Sequence, residues 1–486
     1  MVLVSIGVAT PVGILSAIYL HEYAKKGIPE NPKAKLKDAF TPPDDKHPDN
    51  GQLIQYREDP RYKELFDLAL KLENVNRNTG LHASGIVIGK TELPDWAPVF
   101  KDAKTGKVAV QFTMDIIEPC GLVKMDYLGL KTLTLIKYAE RIIKKRPGFE
   151  NFDTNTVDES DEKTFDLFCR GDTVAVFQFE SPGMQKILRQ FQPEKLEDLV
   201  ALNALYRPGP MDCIPQYIDG KWKPETIHYP DPCLEDILKE TYGVMVYQEQ
   251  VMQIVRSLAG YSYARADLVR RAMSKKKSDV MEREREIFLY GSEDEKGNIL
   301  VPGALRNGIK KDAANKIFDQ MIDFAKYAFN KSHATCYAKV AYQTAYLKTH
   351  YQKQYLAALM TSVIGSTEKT AEYIEECRRL NINILPPHIN KSHSRFQATN
   401  DGIVFGLLAI KNVGVKMVHD IVTERGKNGE YKDFVDFCTR ISDKDINSRA
   451  IDSMIKCGVF DCFNFSRRHL AMIHEPLLNS IIADKR

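Results

Sequence analysis

The sequence predicts a mixed, predominantly α-helical fold with a small α/β portion towards its start and short helical units towards its end. Three observations predict it. Residues from about 136 to 370 read mostly as helix, broken only by YRPGPM, IHYPDPC and GSEDEKGN. Short β-rich runs, SGIVIG, KVAVQF and GLVKMDYLGL, gather before residue 135 beside one helical stretch, RYKELFDLALKLENV. After ILPPHIN, an alternating stretch SRFQATNDGIVFGL precedes two small helical units that reach about residue 475.

Taken in order, the first twenty residues, MVLVSIGVATPVGILSAIYL, carry no charged side chain and are long enough to span a bilayer if helical. No basic start and no small-residue cleavage site precede His21 and Glu22, which argues against a signal peptide. A buried element and a membrane anchor are the two readings left. The polar, proline-rich tract from Pro29 to Pro60 reads as an irregular connection.

A chain of 486 residues that is 43% hydrophobic can bury the cores of about two to four domains and is not a disordered protein. Lys and Arg number 68 against 65 Asp and Glu, so a net charge of +3 neither requires nor excludes a polyanionic partner. Any case for nucleic acid rests on local clusters. The nine cysteines are scattered and form no C-x-x-C pair, which argues against a disulfide framework or a zinc site and suits a reducing cytoplasm.

Four segments carry candidate chemistry. RADLVRRAMSKKK, Arg265 to Lys277, sets six basic residues against one acid; it is either a phosphate-binding helix end or an ordinary solvated face. From Phe329 to Tyr355, Lys331, His333, Lys339, Lys348, His350 and Lys353 interleave with tyrosines, which suits base stacking with phosphate contact. Equally, the tyrosines can be core and the lysines a wet rim. Asp126 stands alone among apolar residues at the end of a predicted strand, with Lys124 on the same face. Burial of that carboxylate would demand a reason, either a salt bridge to Lys124 or a Mg²⁺ ion. GLLAIKNVGVKMVHDIV, Gly406 to Val422, has the form helix, tight turn, helix, which offers backbone N–H groups to a phosphate; MIKCGVFDCF is its candidate second half.

Read together, NTGLHASGIVI, GLVKMDYLGL, FQFESPGM, ALYRPGPM, YGVMVYQEQVMQI, DLVRRAMSKKK, FNKSHATCYAKVAYQTAYLKTHY, ECRRLNINILPPHIN and FGLLAIKNVG resemble, in order, the catalytic α subunit of bacterial DNA polymerase III, a C-family replicative polymerase. The resemblance runs from about Gly27 to near the end. It implies a Pol β-like palm over 27–135, helical fingers over 136–370 and a tandem helix-hairpin-helix over 371–475, with an apolar leader at 1–26 and a tail at 476–486. It implies DNA-templated nucleotidyl transfer with two Mg²⁺ ions, acting on primer-template DNA and dNTPs, and a sliding clamp and clamp loader as partners.

By the same resemblance, Asp126 is a catalytic, metal-binding aspartate with Lys124 beside it, and His82 and Ser84 lie near the site. Arg207, Arg270, Arg271, Lys276, Asn330, Lys331 and His333 face the triphosphate, while Lys411, Asn412, Val413 and Gly414 grip DNA. The family's P-D-x-D-x-D strand, which supplies the other two aspartates, is expected before residue 27 and is not found there. Residues 1–24 are instead similar to a helix of phosphate ABC-transporter permeases. The expectation is therefore a central fragment with a leader of other origin, one that binds better than it catalyses unless a complementary chain supplies the missing strand.

Overall fold

In the computed structural model, which describes residues 54, 59–72, 81–82, 84–103, 105–274, 278–325, 327–442 and 448–484, the β-rich runs GIVI and VKMD pair with each other. Strand β1 (Gly85–Ile88) lies antiparallel to β4 (Val123–Asp126), with Gly85 opposite Asp126 and Val87 opposite Lys124. The two-residue repeat therefore puts Gly85, Val87, Lys124 and Asp126 on one face and Ile86, Ile88, Val123 and Met125 on the other. Between them, β2 (Val99–Lys101) pairs with β3 (Val108–Val110), and a short helix α2 (Met114–Ile117) leads into β4. Ala97, Ile117 and Leu122 form a small core under Val87, Trp96 and Phe112. Helix α1 (Pro60–Leu72) is the expected RYKELF helix, with Phe66 and Ala69 buried. These elements belong to the first of two units, residues 1–129; the second is 130–486.

In the second unit, α3 (Lys131–Ile143) buries Leu135, Ile136, Ala139 and Ile143, a stripe at helical spacing. Helix α4 (Glu162–Arg170) starts where the Asp161 carboxylate accepts the Thr164 N–H, and ends on Gly171 in the left-handed region. Helix α5 (Pro182–Phe191) is capped by Ser181 and has proline in its first turn. Helix α6 (Leu196–Leu205) is buried nearly all round because it packs along α13 (Lys331–His350), whose Ala334, Ala338, Ala341 and Ala345 are fully buried and small enough to let two backbones approach. Each Leu or Val enclosed there contributes about 1.5–3 kcal/mol of burial free energy.

Helix α7 (Ile214–Trp222) and the short α8 (Glu235–Leu238) lead to a second core built by α9 (Gln248–Ala259), α10 (Tyr263–Ser274), α11 (Ser278–Tyr290) and α12 (Lys311–Ala325). A two-stranded ribbon, β5 (Ser292–Glu293) with β6 (Ile299–Val301), closes the charged GSEDEKGN loop that the sequence marks only as a break. Helices α14 (Gln352–Ser362) and α15 (Thr367–Arg379) then share a core with α3.

The last part opens with a three-stranded sheet in which β9 (Ile403–Val404) is central, parallel to β7 (Ile384–Leu385) and antiparallel to β8 (Gln397–Ala398). Helices α16 (Val415–Asn428), α17 (Phe434–Ile441), α18 (Ser448–Lys456) and α19 (Arg467–Asp484) follow around one core. Two details differ from the sequence reading. The expected first helix of GLLAIKNVG is a single 3₁₀ turn, Leu407–Ala409, too short for an α-helix before the turn at Asn412. Helix α19 runs on to Asp484, across the expected tail boundary at 475. Among the described residues no helix is long and apolar enough to cross a membrane; residues 1–20 lie outside them.

Candidate functional site

Asp126 ends β4, and Lys124 shares its face as the alternation requires. The Lys124 ammonium donates to both carboxylate oxygens, at 2.5 and 2.7 Å, which is the simpler of the two readings of this pair. The expected burial is corrected: the Asp126 side chain is 53% exposed, because its apolar neighbours Val123 and Met125 belong to the opposite face and are exposed themselves. No desolvation cost therefore demands a metal. The hydrogen bond from Lys124 holds the Asp126 carboxyl below the usual carboxylate range, with smaller help from the Lys124 charge.

His82 Nδ1 accepts the backbone N–H groups of Gly85 at 2.7 Å and Ser84 at 3.2 Å. It stands 3.8 Å from Asp126 Oδ1. A ring nitrogen that accepts two N–H groups carries no proton, so this contact is a proximity and not an ion pair. The Ser84 hydroxyl is 3.5 Å from the same nitrogen, and the Ser84 carbonyl extends the ladder by accepting the Tyr127 N–H. Glycine at 85 makes the gathering possible: a Cβ there would lie 3.0 Å from both His82 Nδ1 and Lys124 Cε. The structure thus brings His82, Ser84, Lys124 and Asp126 together. A magnesium ion takes about six oxygen donors. One carboxylate already engaged by an ammonium does not meet that need, and among the described residues no group of three His, Cys, Asp or Glu converges.

A second cluster lies in the 130–486 unit and is built around Phe329. Arg207, just past α6, donates from Nε to the Ala204 carbonyl at 2.8 Å and from Nη2 to the Tyr327 carbonyl, with its guanidinium 4.3 Å over the Phe329 ring. It has no carboxylate partner among the described residues, and burial pulls its pKa below the ordinary arginine value. The Phe329 carbonyl accepts the Gln248 N–H, and Gln248 Oε1 accepts from Arg270 at 2.9 Å. Asn330 caps α13 by accepting the His333 N–H, and its Nδ2 donates to Glu249. Lys331 gives its backbone N–H to Glu249 and its ammonium to Glu240 at 2.9 Å. His333 stacks on Tyr337 and meets the edge of Phe329.

Arg207, Arg270, Asn330, Lys331 and His333, distant in sequence, are therefore one connected network. Arg271 joins through Asp267, which pairs with both arginines at 2.8 Å. Lys276 lies outside the described residues. The sequence reading missed Glu240, Gln248, Glu249 and Phe329; the polar YQEQ after the apolar YGVMV was the available signal for two of them. It also misplaced Lys348, which is neither rim nor phosphate contact. Lys348 is fully buried, paired with Glu376 at 2.7 Å and donating to the Asp172 and Val174 carbonyls. Lys339 and His350 are likewise engaged, with Glu159 and Asp161.

At the hairpin, Asn412 takes a positive φ of 67°, a left-handed conformation that asparagine tolerates. This turns the chain from the 3₁₀ segment into α16, with Lys411 exposed, Val413 buried as the anchor and Gly414 at the N-cap. A Cβ on Gly414 would meet nothing within 4 Å, so the start of α16 is open on that side. Asn412 Nδ2 donates to Ser453 Oγ in α18, tying the first hairpin to the second, where Gly458 at φ 83° separates α18 from the Asp461–Phe463 turn.

An open helix start presented by a tight hairpin, and a network that gathers arginine and lysine side chains, both suit phosphate-bearing ligands. Comparison with known families agrees. Residues 16–129 match the bacterial DNA polymerase III alpha NTPase domain, 132–296 the bacterial DNA polymerase III alpha subunit finger domain, and 381–470 a helix-hairpin-helix motif. The chain belongs to the bacterial DNA polymerase III α-subunit family. It is similar to the DNA polymerase III subunit alpha of Treponema pallidum (strain Nichols), 47% identical over 446 residues, or 92% of this chain and 36% of that one. That of Borreliella burgdorferi is 45% identical over 460 residues, 95% and 38%. That of Escherichia coli (strain K12) is 41% identical over 447 residues, 90% and 37%. The chain spans about a third of the length of the curated relatives it matches. The first family match begins at residue 16, inside the segment read from sequence as a leader of other origin.

Proposed function

We propose that this chain supplies palm, fingers and duplex-binding parts, over 27–135, 136–370 and 371–475, to a cytoplasmic DNA polymerase that transfers a nucleotide from a dNTP to a primer 3′ end. The observation that carries the proposal is the Phe329 network, in which Arg207 keeps a full positive charge held by carbonyls and a ring and opposed by no carboxylate among the described residues. Such a guanidinium is oriented before any ligand arrives and is suited to triphosphate oxygens. Arg270, Arg271, Lys276, Asn330, Lys331 and His333 are the proposed companions at that site, and Lys411 to Gly414 the proposed grip on duplex phosphates.

For the chemical step, Asp126 is proposed as one ligand of the magnesium site, with Lys124, His82 and Ser84 around it. The described residues do not complete that site, so further carboxylates have to come from elsewhere in the chain or from a complementary chain. When bound, magnesium stabilises charge on the transferring phosphate. Lys124 meanwhile keeps the Asp126 carboxyl ionised, and His82 positions the start of β1. Alone, the chain is proposed to hold DNA and dNTP better than it joins them. A sliding clamp and clamp loader are the partners implied by the family.

The test combines dNTP binding with primer extension by the full chain. Arg207→Gln should weaken dNTP binding by about ten- to a hundredfold, the worth of a hydrogen bond to a charged group. Unchanged dNTP affinity in that variant would overturn the nucleotide site. Any incorporation that survives Asp126→Ala would remove Asp126 from the chemistry.

A further inference from the structure

We infer that a polar cleft of about 390 Å³, walled by Arg146, Thr349, His350, Lys353, Thr399 and Asn400, binds phosphate and serves as a second grip on the DNA backbone. The inference rests on the reading that the chain holds DNA, but uses none of Lys411 to Gly414, the proposed grip of the hairpin.

Two cations face this cleft, and both are fixed in place. Arg146, in the turn after α3, lays its guanidinium 4.7 Å over the Phe149 ring and 5.9 Å from that of Tyr351. Lys353, in the first turn of α14, donates from Nζ to the Asn400 carbonyl at 2.6 Å. Neither has a carboxylate partner among the described residues. The acid that could have neutralised the cleft, Asp161, is taken by the His350 imidazole at 2.9 Å and by the Thr164 hydroxyl and N–H.

An exposed arginine in a flexible setting is ordinary solvated surface. Here stacking on aromatic rings and a carbonyl tether hold both cations in place, so little further freedom is lost when a phosphate arrives. The Thr349 and Thr399 hydroxyls donate to the Ala345 and Gly402 carbonyls, so the two cations carry the site and the Asn400 side chain adds a neutral amide beside them. Position favours the DNA backbone over a free anion. Thr399 and Asn400 lie within the helix-hairpin-helix match, so the cleft is where that duplex-binding region meets α3 and α14.

The experiment is binding of a short primer-template duplex, and separately of pyrophosphate, to the full chain across a range of salt concentrations. Arg146→Gln with Lys353→Gln should weaken duplex binding about tenfold near physiological salt and flatten the slope of log K against log salt by about 1.8, from roughly 0.9 per phosphate contact. Arg146→Lys with Lys353→Arg should restore both, with circular dichroism melting unchanged throughout. Duplex affinity and slope equal to those of the unmodified chain would overturn the inference. Loss of pyrophosphate binding alone would overturn its assignment to DNA. No duplex binding by the unmodified chain would overturn the underlying reading, and this inference with it.

Discussion

Replacing Lys348 with methionine is expected to cost about 1–3 kcal/mol of folding stability, the penalty for leaving interior acceptors unserved, while Arg379 at 2.8 Å keeps Glu376 paired. Lys348 and Glu376 are 1% and 4% exposed, with Nζ and Oε1 2.7 Å apart. The same ammonium donates to the carbonyls of Asp172 at 2.7 Å and Val174 at 2.8 Å, so methionine leaves these two interior acceptors unserved. Burial pulls Lys348 below the ordinary lysine value; Glu376, which burial alone would push up, is held below the carboxylate range by hydrogen bonds from Arg379 and Lys348. Methionine matches the lysine stem in length, so the loss isolates charge and hydrogen bonding from packing. Adding Glu376→Met removes the buried carboxylate, leaves Arg379 to Asp172 and does not restore the carbonyl contacts, so the double variant should stay within the same range of about 1–3 kcal/mol. Urea denaturation of the full chain, followed by far-ultraviolet circular dichroism, reads both. A single variant within about 0.5 kcal/mol of the unmodified chain, or a double variant worse than the single, would refute the reasoning.

Gly85→Ala should push His82, Lys124 and Asp126 apart, since its Cβ would also lie 3.2 Å from Asp126 Oδ1; primer extension with a complementing chain should fall at least about tenfold, and an unaltered rate would show the crowding to be harmless. Asn412→Val forces a β-branched residue into φ 67° and should lower stability by about 1–2 kcal/mol and weaken duplex binding, whereas Asn412→Gly, which keeps the turn and loses only the bond to Ser453, should cost less stability and leave duplex binding in place, as read by melting and binding together. Glu376 has a depressed folded pKa, so its contribution is complete above 4.5 and disappears as pH falls through the lower folded value. Below pH 4.5 the unmodified chain should therefore lose stability more steeply than Glu376→Gln, and parallel acid limbs would contradict this.

Much of this was readable from residue order. Alternation in GIVI and VKMD placed Lys124 and Asp126 on one face, and the pairing of β1 with β4 bears that out. The Asn412 turn was visible because few residues other than glycine and asparagine tolerate a left-handed turn. What escaped was everything that depends on three-dimensional neighbours. Apolar residues flank Asp126 in sequence, yet strand alternation turns them to the other side, so flanking composition misreported burial. Lys348 has the same chemistry as Lys353, but α13 carries the first inside against Glu376, and the second, past the break at Tyr351, opens α14 at a cleft. The carboxylates that organise the Phe329 network, Glu240 and Glu249, come from segments about 80 to 90 residues away, a distance no local pattern spans.

Those carboxylates have a consequence for how the network would meet an anion. Arg207, Arg270, Arg271 and Lys331 bring four positive charges, against which Asp267, Glu240 and Glu249 set three negative ones. The network is close to electroneutral as it stands. A triphosphate entering it would act less as a counterion falling onto bare charge than as an exchanger, taking guanidinium and ammonium contacts from carboxylates that then turn to water. Few small ions would be released in the exchange, so nucleotide affinity should vary gently with salt even where duplex affinity varies steeply. The two ligands of one chain would then be separable by ionic strength alone.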